Sequence, residues 1–149
     1  MTFEDLKSAF PAATLETWHV HTNGGGWVEN TATVTETAYV GPNAVVSENA
    51  VVSGNAEVSG NAMVSGAAMV SGDAMVYGNA MVFENAMVFE NAMVFENAEV
   101  AGDAVVSGRS WVYGNASVSG DAMVSGRSWV CGNARVSGNT LVSGNEIIN

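Results

Sequence analysis

Cysteine occurs once in these 149 residues, proline and histidine twice each, and lysine and arginine together only four times. Each scarcity excludes something. A lone Cys131 rules out a disulfide framework within the chain, and with His19 and His21 as the only imidazoles there is no Cys/His zinc knot. Four basic residues against fifteen acidic ones give a net charge of -11 at pH 7. Such a chain repels polyanions, so nucleic acid and anionic membrane surfaces are poor partners. No apolar stretch approaches membrane-spanning length, and Met1 to Phe10 carries Glu4 and Asp5 where a secretory leader needs a basic start and an apolar run. One soluble, cytoplasmic domain is the expectation.

What the chain does have is a period. From Val28 to Ile148 an aliphatic residue recurs every six positions, twenty valines and one isoleucine without an insertion. Two residues before each stands a small one, usually alanine (Ala32, Ala38, Ala44, Ala50), with Ser110, Ser128 and Thr140 as variants. Alternation over four residues followed by Gly-Asn, Gly-Asp or Glu-Asn predicts a short strand and a tight corner. The position before each valine accepts Glu57, Glu99, Ser117 and Arg135. An unpaired charge in a narrow apolar core is too costly, so valine and alanine point inward and the residues flanking the valine point outward. A six-residue unit cannot bury its own inner face, and the units must stack into a solenoid with a shared core. Three units per coil give a triangular prism of about seven coils.

The hexapeptide Val58-Ser59-Gly60-Asn61-Ala62-Met63, with its aliphatic residue followed four positions later by a small one, resembles the hexapeptide repeat of left-handed parallel β-helix proteins. The resemblance covers roughly residues 28 to 148. It implies an all-β fold, a single-stranded left-handed parallel β-helix with a short N-terminal capping segment. The left hand comes from the resemblance alone, since the general preference for parallel crossovers is right-handed, and a right-handed coil is the alternative geometry. One departure is consistent: the position after the aliphatic residue, often Gly, Ala, Glu or Asp in that family, is here mostly serine or an aromatic.

Residues 1–27 break the period and form a separate N-terminal cap of short helix, strand and Gly-rich turn, leaving 28–149 as the β-helix. Thr2 is placed to cap a helix from Phe3 to about Ala9, with Asp5 in its first turn and Pro11 preventing continuation. The expected role is a lid across the first coil, where a solenoid otherwise exposes unpaired backbone. Asn23-Gly24-Gly25-Gly26 has no helix after it and is expected to be a flexible turn, not a phosphate loop. At the other end Ile147, Ile148 and Asn149 are still in register, which predicts an edge that pairs with something, frays, or marks a point where the sequence is cut.

Adding eighteen sorts the outward residues into faces. One face carries Tyr39, Glu57, Met75, Met93, Trp111, Trp129 and Ile147, flanked by Tyr77, Phe95, Tyr113 and Cys131. A second carries Thr33, Val51, Met69, Met87, Val105, Met123 and Leu141, and a third turns polar through Glu99, Ser117 and Arg135. Stripes of large apolar side chains along a prism about 30 Å long exceed what a monomer usually exposes. The candidate binding residues are therefore Met75, Tyr77, Met93, Phe95, Trp111, Tyr113 and Trp129, joined by Arg109 and Arg127. The two arginines recur eighteen residues apart in Arg109-Ser110-Trp111 and Arg127-Ser128-Trp129. They are of the type that dominates binding hot spots and could hold a carboxylate, a sugar or a partner's acidic loop. The plainer expectation is that each pairs with a nearby acid such as Asp103 or Asp121.

These features predict a non-catalytic structural or protein-binding solenoid that forms a homo-oligomer, with a further protein partner also admitted, no cofactor and no metal. Many hexapeptide-repeat proteins are acyltransferases, and the alternative the resemblance implies is such an enzyme or a degenerate relative. Those enzymes use a histidine base and a loop interrupting the coils, whereas here no histidine follows His21 and no loop breaks the period. A third reading is an acidic decoy or inhibitor imitating a nucleic-acid backbone, although Glu84, Glu90 and Glu96 ring one coil instead of running along the axis. Those corners lie too far apart to share one metal. His19 and His21 could hold a metal only across a symmetric interface. Cys131, expected outward on the aromatic wall, has no evident base to activate it.

Overall fold

The computed structural model describes residues 1–149. A seven-residue helix α1 (Phe3–Ala9) leads into strand β1 (Trp18–Val20) and strand β2 (Trp27–Glu29), followed by twenty two-residue strands spaced six residues apart. The strands form three sheets, one of eight and two of seven, and strand neighbours in each are eighteen residues apart in the repeat region. Valine stacks on valine throughout: Val28 on Val46, Val46 on Val64, Val76 on Val94, Val94 on Val112. The chain is a stack of about seven parallel coils forming a β-solenoid.

Inward and outward positions fall where the tolerated residue types put them. Val28 and every repeat valine from Val40 to Val142 are buried, while Val34 and Ile148, near the two ends of the stack, are partly buried. Together with the alanines they make one continuous core of 34 residues. Where serine replaces alanine the hydroxyl is satisfied locally: Ser110 Oγ donates to the Ser107 carbonyl at 2.6 Å and Ser128 Oγ to that of Ser125 at 2.7 Å. A buried hydroxyl without such an acceptor would destabilise the coil. Between coils, Met93 N–H donates to Ser110 O at 2.9 Å, Phe95 N–H to Val112 O at 3.0 Å and Asn97 N–H to Gly114 O at 2.9 Å, and this pattern repeats along the stack.

At every sixth residue from Glu48 to Gly144 the corners adopt left-handed backbone. Glycine fills most of these sites, and Gly102 shows why: a Cβ there would stand 2.8 Å from the Gly120 nitrogen of the next coil. Four corners nevertheless carry glutamate, at Glu48, Glu84, Glu90 and Glu96, with φ between 58° and 63°. Two of these side chains bond to the coil above. Glu84 accepts from Gly102 N–H and Glu90 from Gly108 N–H, each at 2.5 Å. The ring of three acids is thus not simply solvated, since two of its carboxylates are tied to backbone amides.

The N-terminal segment departs from the expected lid in three ways. The helix is capped as its sequence predicts, Thr2 Oγ1 accepting from Asp5 N–H and Thr2 N–H donating to the Asp5 carboxylate at 2.8 Å. It does not lie across the open end. Leu6 is fully buried in a side cluster with Ala13, Trp18, Trp27 and Val45, against which Phe3, Phe10 and Met63 also pack. The helix therefore lies on the outside of the eight-stranded sheet, and Val45, outward by register, is buried beneath it. The end is covered instead by β1, which pairs antiparallel with β2, and by the turn after it, where Gly26 N–H donates to Val40 O and Val40 N–H to Asn23 O. That turn is tight where flexibility was expected: at Gly24, φ is 115° and a Cβ would meet the Val40 carbonyl oxygen at 2.3 Å. No helix is long and apolar enough to cross a membrane.

Candidate functional site

The aromatic wall forms as two parallel stacks on one seven-stranded sheet. Register sets Met75 beside Met93, Met93 beside Trp111 and Trp111 beside Trp129. Trp111 and Trp129 lie with centroids 5.0 Å apart and planes 4° from parallel. Alongside them Tyr77, Phe95 and Tyr113 make the second stack, at 5.0 and 4.9 Å, with interplanar angles of 3° and 2°. Edge-to-face contacts join the two stacks, Phe95 to Trp111 at 6.1 Å and Tyr113 to Trp129 at 6.5 Å. The rung spacing of about 4.8 Å suits ring stacking, so the coil geometry itself orders these side chains.

At the C-terminal end of the wall, Arg109, Arg127, Trp111, Trp129 and Ile147 line an open hollow of about 630 Å³, together with Asn91 and Asn145. Four of the nine expected binding residues meet in it. Tyr113 and Phe95 back it through the stacks, while Met75, Met93 and Tyr77 continue the same wall toward the N-terminal half. The arginines belong to the corner ladder that precedes this face. Asp103 sits on another corner, where it accepts a hydrogen bond from Asn85 at 2.9 Å. Six residues separate Arg109 from Asp103 and Arg127 from Asp121, one full strand-and-turn unit, so the expected pairing with those acids is replaced by a shared hollow with tryptophan.

Cys131 is a second correction. It follows an outward register, but it is buried beside the wall. Contact with the Cys131 side chain, then desolvation and the charge of Glu96, holds the Tyr113 phenol above its usual 10.0. Tyr77 is also raised, by partial burial first and Glu96 second. The histidines are parted. His19 Nδ1 meets the Asn30 side-chain oxygen at 2.7 Å, and His21, buried, donates from Nε2 to the Ala38 carbonyl at 2.9 Å.

Two features escaped the reading of the sequence. On the second seven-stranded sheet Met69, Met87, Met123 and Leu141 are exposed, at 42, 36, 47 and 59%, whereas Met75, Tyr77, Met93, Phe95, Trp111 and Tyr113 of the aromatic wall are half-buried. Their column was visible in the sequence, but the mutual shielding of stacked rings on the other face was not. Along one corner the side-chain amides of Asn61, Asn79, Asn97 and Asn115 each donate to the oxygen of the next asparagine, ending on Asn133, at 3.1 to 3.2 Å. The signal was asparagine at every eighteenth position.

Residues 56–72 and 130–144 match the family model of the YdcK beta solenoid repeat. The chain is a β-solenoid repeat protein. The matched stretches fall in separate parts of the repeat region and together span less than half of the chain. No curated protein and no solved structure matches it.

Proposed function

We propose that this β-solenoid protein is a non-catalytic structural module that associates with itself through the aromatic wall. The observation that carries the reading is the ordering of that wall: two stacks of parallel rings, already immobilised by the coil, adjoin two arginines in one open hollow. Aromatic and arginine side chains dominate protein interfaces, and preorganised rings lose little conformational freedom when a partner covers them. The histidines support the non-catalytic half of the reading. The Nε2 of His21 is committed to a backbone carbonyl, and His19 bonds to Asn30, both in the N-terminal segment and outside the hollow of Arg109 and Trp129.

The test is the mass in solution by light scattering across a concentration series. Twice the monomer mass or more at micromolar concentration is expected, falling toward the monomer for Trp129→Ala. A protein that stays monomeric at high micromolar concentration would overturn the reading.

A further inference from the structure

We infer that the occupant of the Arg109/Arg127/Trp129 hollow is the acidic half of a second copy of this chain, docked antiparallel about a two-fold axis at Met93. The inference rests on the self-association through the aromatic wall proposed above and adds its register and charge pairing. Thirteen of the fifteen acidic residues and Lys7 precede Arg109, whereas three of the four basic residues stand at or after it, with only Asp121 and Glu146. The hollow is therefore basic on an otherwise acidic molecule, and what complements it is this chain's own N-terminal half.

Register turns that asymmetry into specific pairs. The wall's outward column runs Tyr39, Glu57, Met75, Met93, Trp111, Trp129 and Ile147, and Met93 is its middle rung. A two-fold axis through Met93 along the strand direction reverses the order of coils while keeping each corner opposite its own kind. Trp111 then faces the other copy's Met75, and Trp129 faces its Glu57. On the adjoining corner, which carries Asn55, Asp73, Asn91, Arg109 and Arg127, Arg109 faces Asp73 and Arg127 faces Asn55 next to Glu57. Each pairing occurs twice by symmetry.

The other faces offer no such match. The Met69–Leu141 stripe shares the corner of Arg109 and Arg127, but both arginines line the hollow with Trp111 and Trp129, and the stripe's other corner carries Asp103 and Asp121 without a basic residue; the corresponding corner of the eight-stranded sheet is the asparagine ladder. That sheet's first rungs are also covered by α1. A parallel pair on the aromatic wall would lay acidic coils on acidic coils. A strip of seven rungs lies at the small end of specific interfaces, so association in the micromolar range is expected.

The experiment is disulfide trapping in a Cys131→Ser background, where Met93→Cys, Met75→Cys and Met87→Cys are each oxidised at micromolar concentration. Met93→Cys should link to itself. Met75 would stand two rungs, about 10 Å, from its own copy, beyond disulfide reach, and should not. Met87 is the middle rung of the methionine stripe and reports association through that face. Charge provides the second readout. Arg109→Asp, opposite Asp73, should weaken the dimer roughly tenfold because the change counts twice, and Arg109→Asp with Asp73→Arg should restore it. Equal linking of Met75→Cys, or no recovery in the double variant, would each overturn the register while leaving association through the wall standing, whereas linking of Met87→Cys in place of Met93→Cys would overturn the wall as the interface. A monomer under all conditions removes both.

Discussion

Trp111 and Trp129, eighteen residues apart in sequence, lie face to face at 5.0 Å with their planes within 4° of parallel. The pair is not symmetric in its surroundings. Trp111 also meets Phe95 and Tyr113 edge-on, whereas Trp129 meets only Tyr113 and is 37% exposed. Trp111→Ala should therefore destabilise the monomer more than Trp129→Ala, by about 1 kcal/mol. Denaturant unfolding of both variants at concentrations below association checks this.

Val88 and Met87 share a two-residue strand and face opposite ways. Val88→Ala should cost about 2 kcal/mol, because it removes two methyl groups from the fully buried column and leaves a void the neighbouring coils cannot close. Met87→Ala, outward, should change stability by less than about 1 kcal/mol. Equal losses measured by urea unfolding would contradict the division between core and surface.

The glutamate corners hold opposing contributions. Left-handed backbone costs a side-chain-bearing residue about 1 to 2 kcal/mol, and glycine relieves it. Glu84 and Glu90, however, also accept from the amides of Gly102 and Gly108. Glu96→Gly should accordingly leave the protein more stable than either Glu84→Gly or Glu90→Gly, by about 1 kcal/mol. Thermal unfolding of the three variants side by side decides the order.

Acid should loosen the N-terminal helix before the coils. Hydrogen bonds from the Thr2 side chain and backbone hold the Asp5 carboxylate below its ordinary value of 3.8. The folded state thus favours the ionised form, so this contribution is present above pH 3.8 and is lost as the pH falls further. Because Phe3 packs on Trp27 and Phe10 on Trp18, tryptophan fluorescence reports the change. Thr2→Ala should weaken the helix at neutral pH and flatten the acid-side transition.

The coils were legible because one column tolerates only valine or isoleucine while its neighbour tolerates Glu57, Met75 and Arg135, and that contrast fixes inside and outside. The face on which Trp111 stacks on Trp129 followed from the same count. What the period could not show lies in the residues that break it. Nothing in Leu6 or Phe10 says that they will lie on the outside of a sheet and bury Val45. Nothing in Asn23 to Gly26 says that the turn will press against the Val40 carbonyl. The burial of Cys131 depends on how neighbouring rings close over a flanking position, which column arithmetic does not describe.

The interior obeys a rule of six, whereas the exterior obeys a rule of eighteen. Excising one hexapeptide between Met93 and Trp111 would leave valine stacked on valine and the core filled. It would also rotate every later side chain onto the next face, separating the tryptophans from Met93 and Phe95. Deleting or duplicating eighteen residues would keep both. A length variant that retains the aromatic wall should therefore differ by whole coils, and a protein shortened by six would fold and yet present a different molecule to its surroundings.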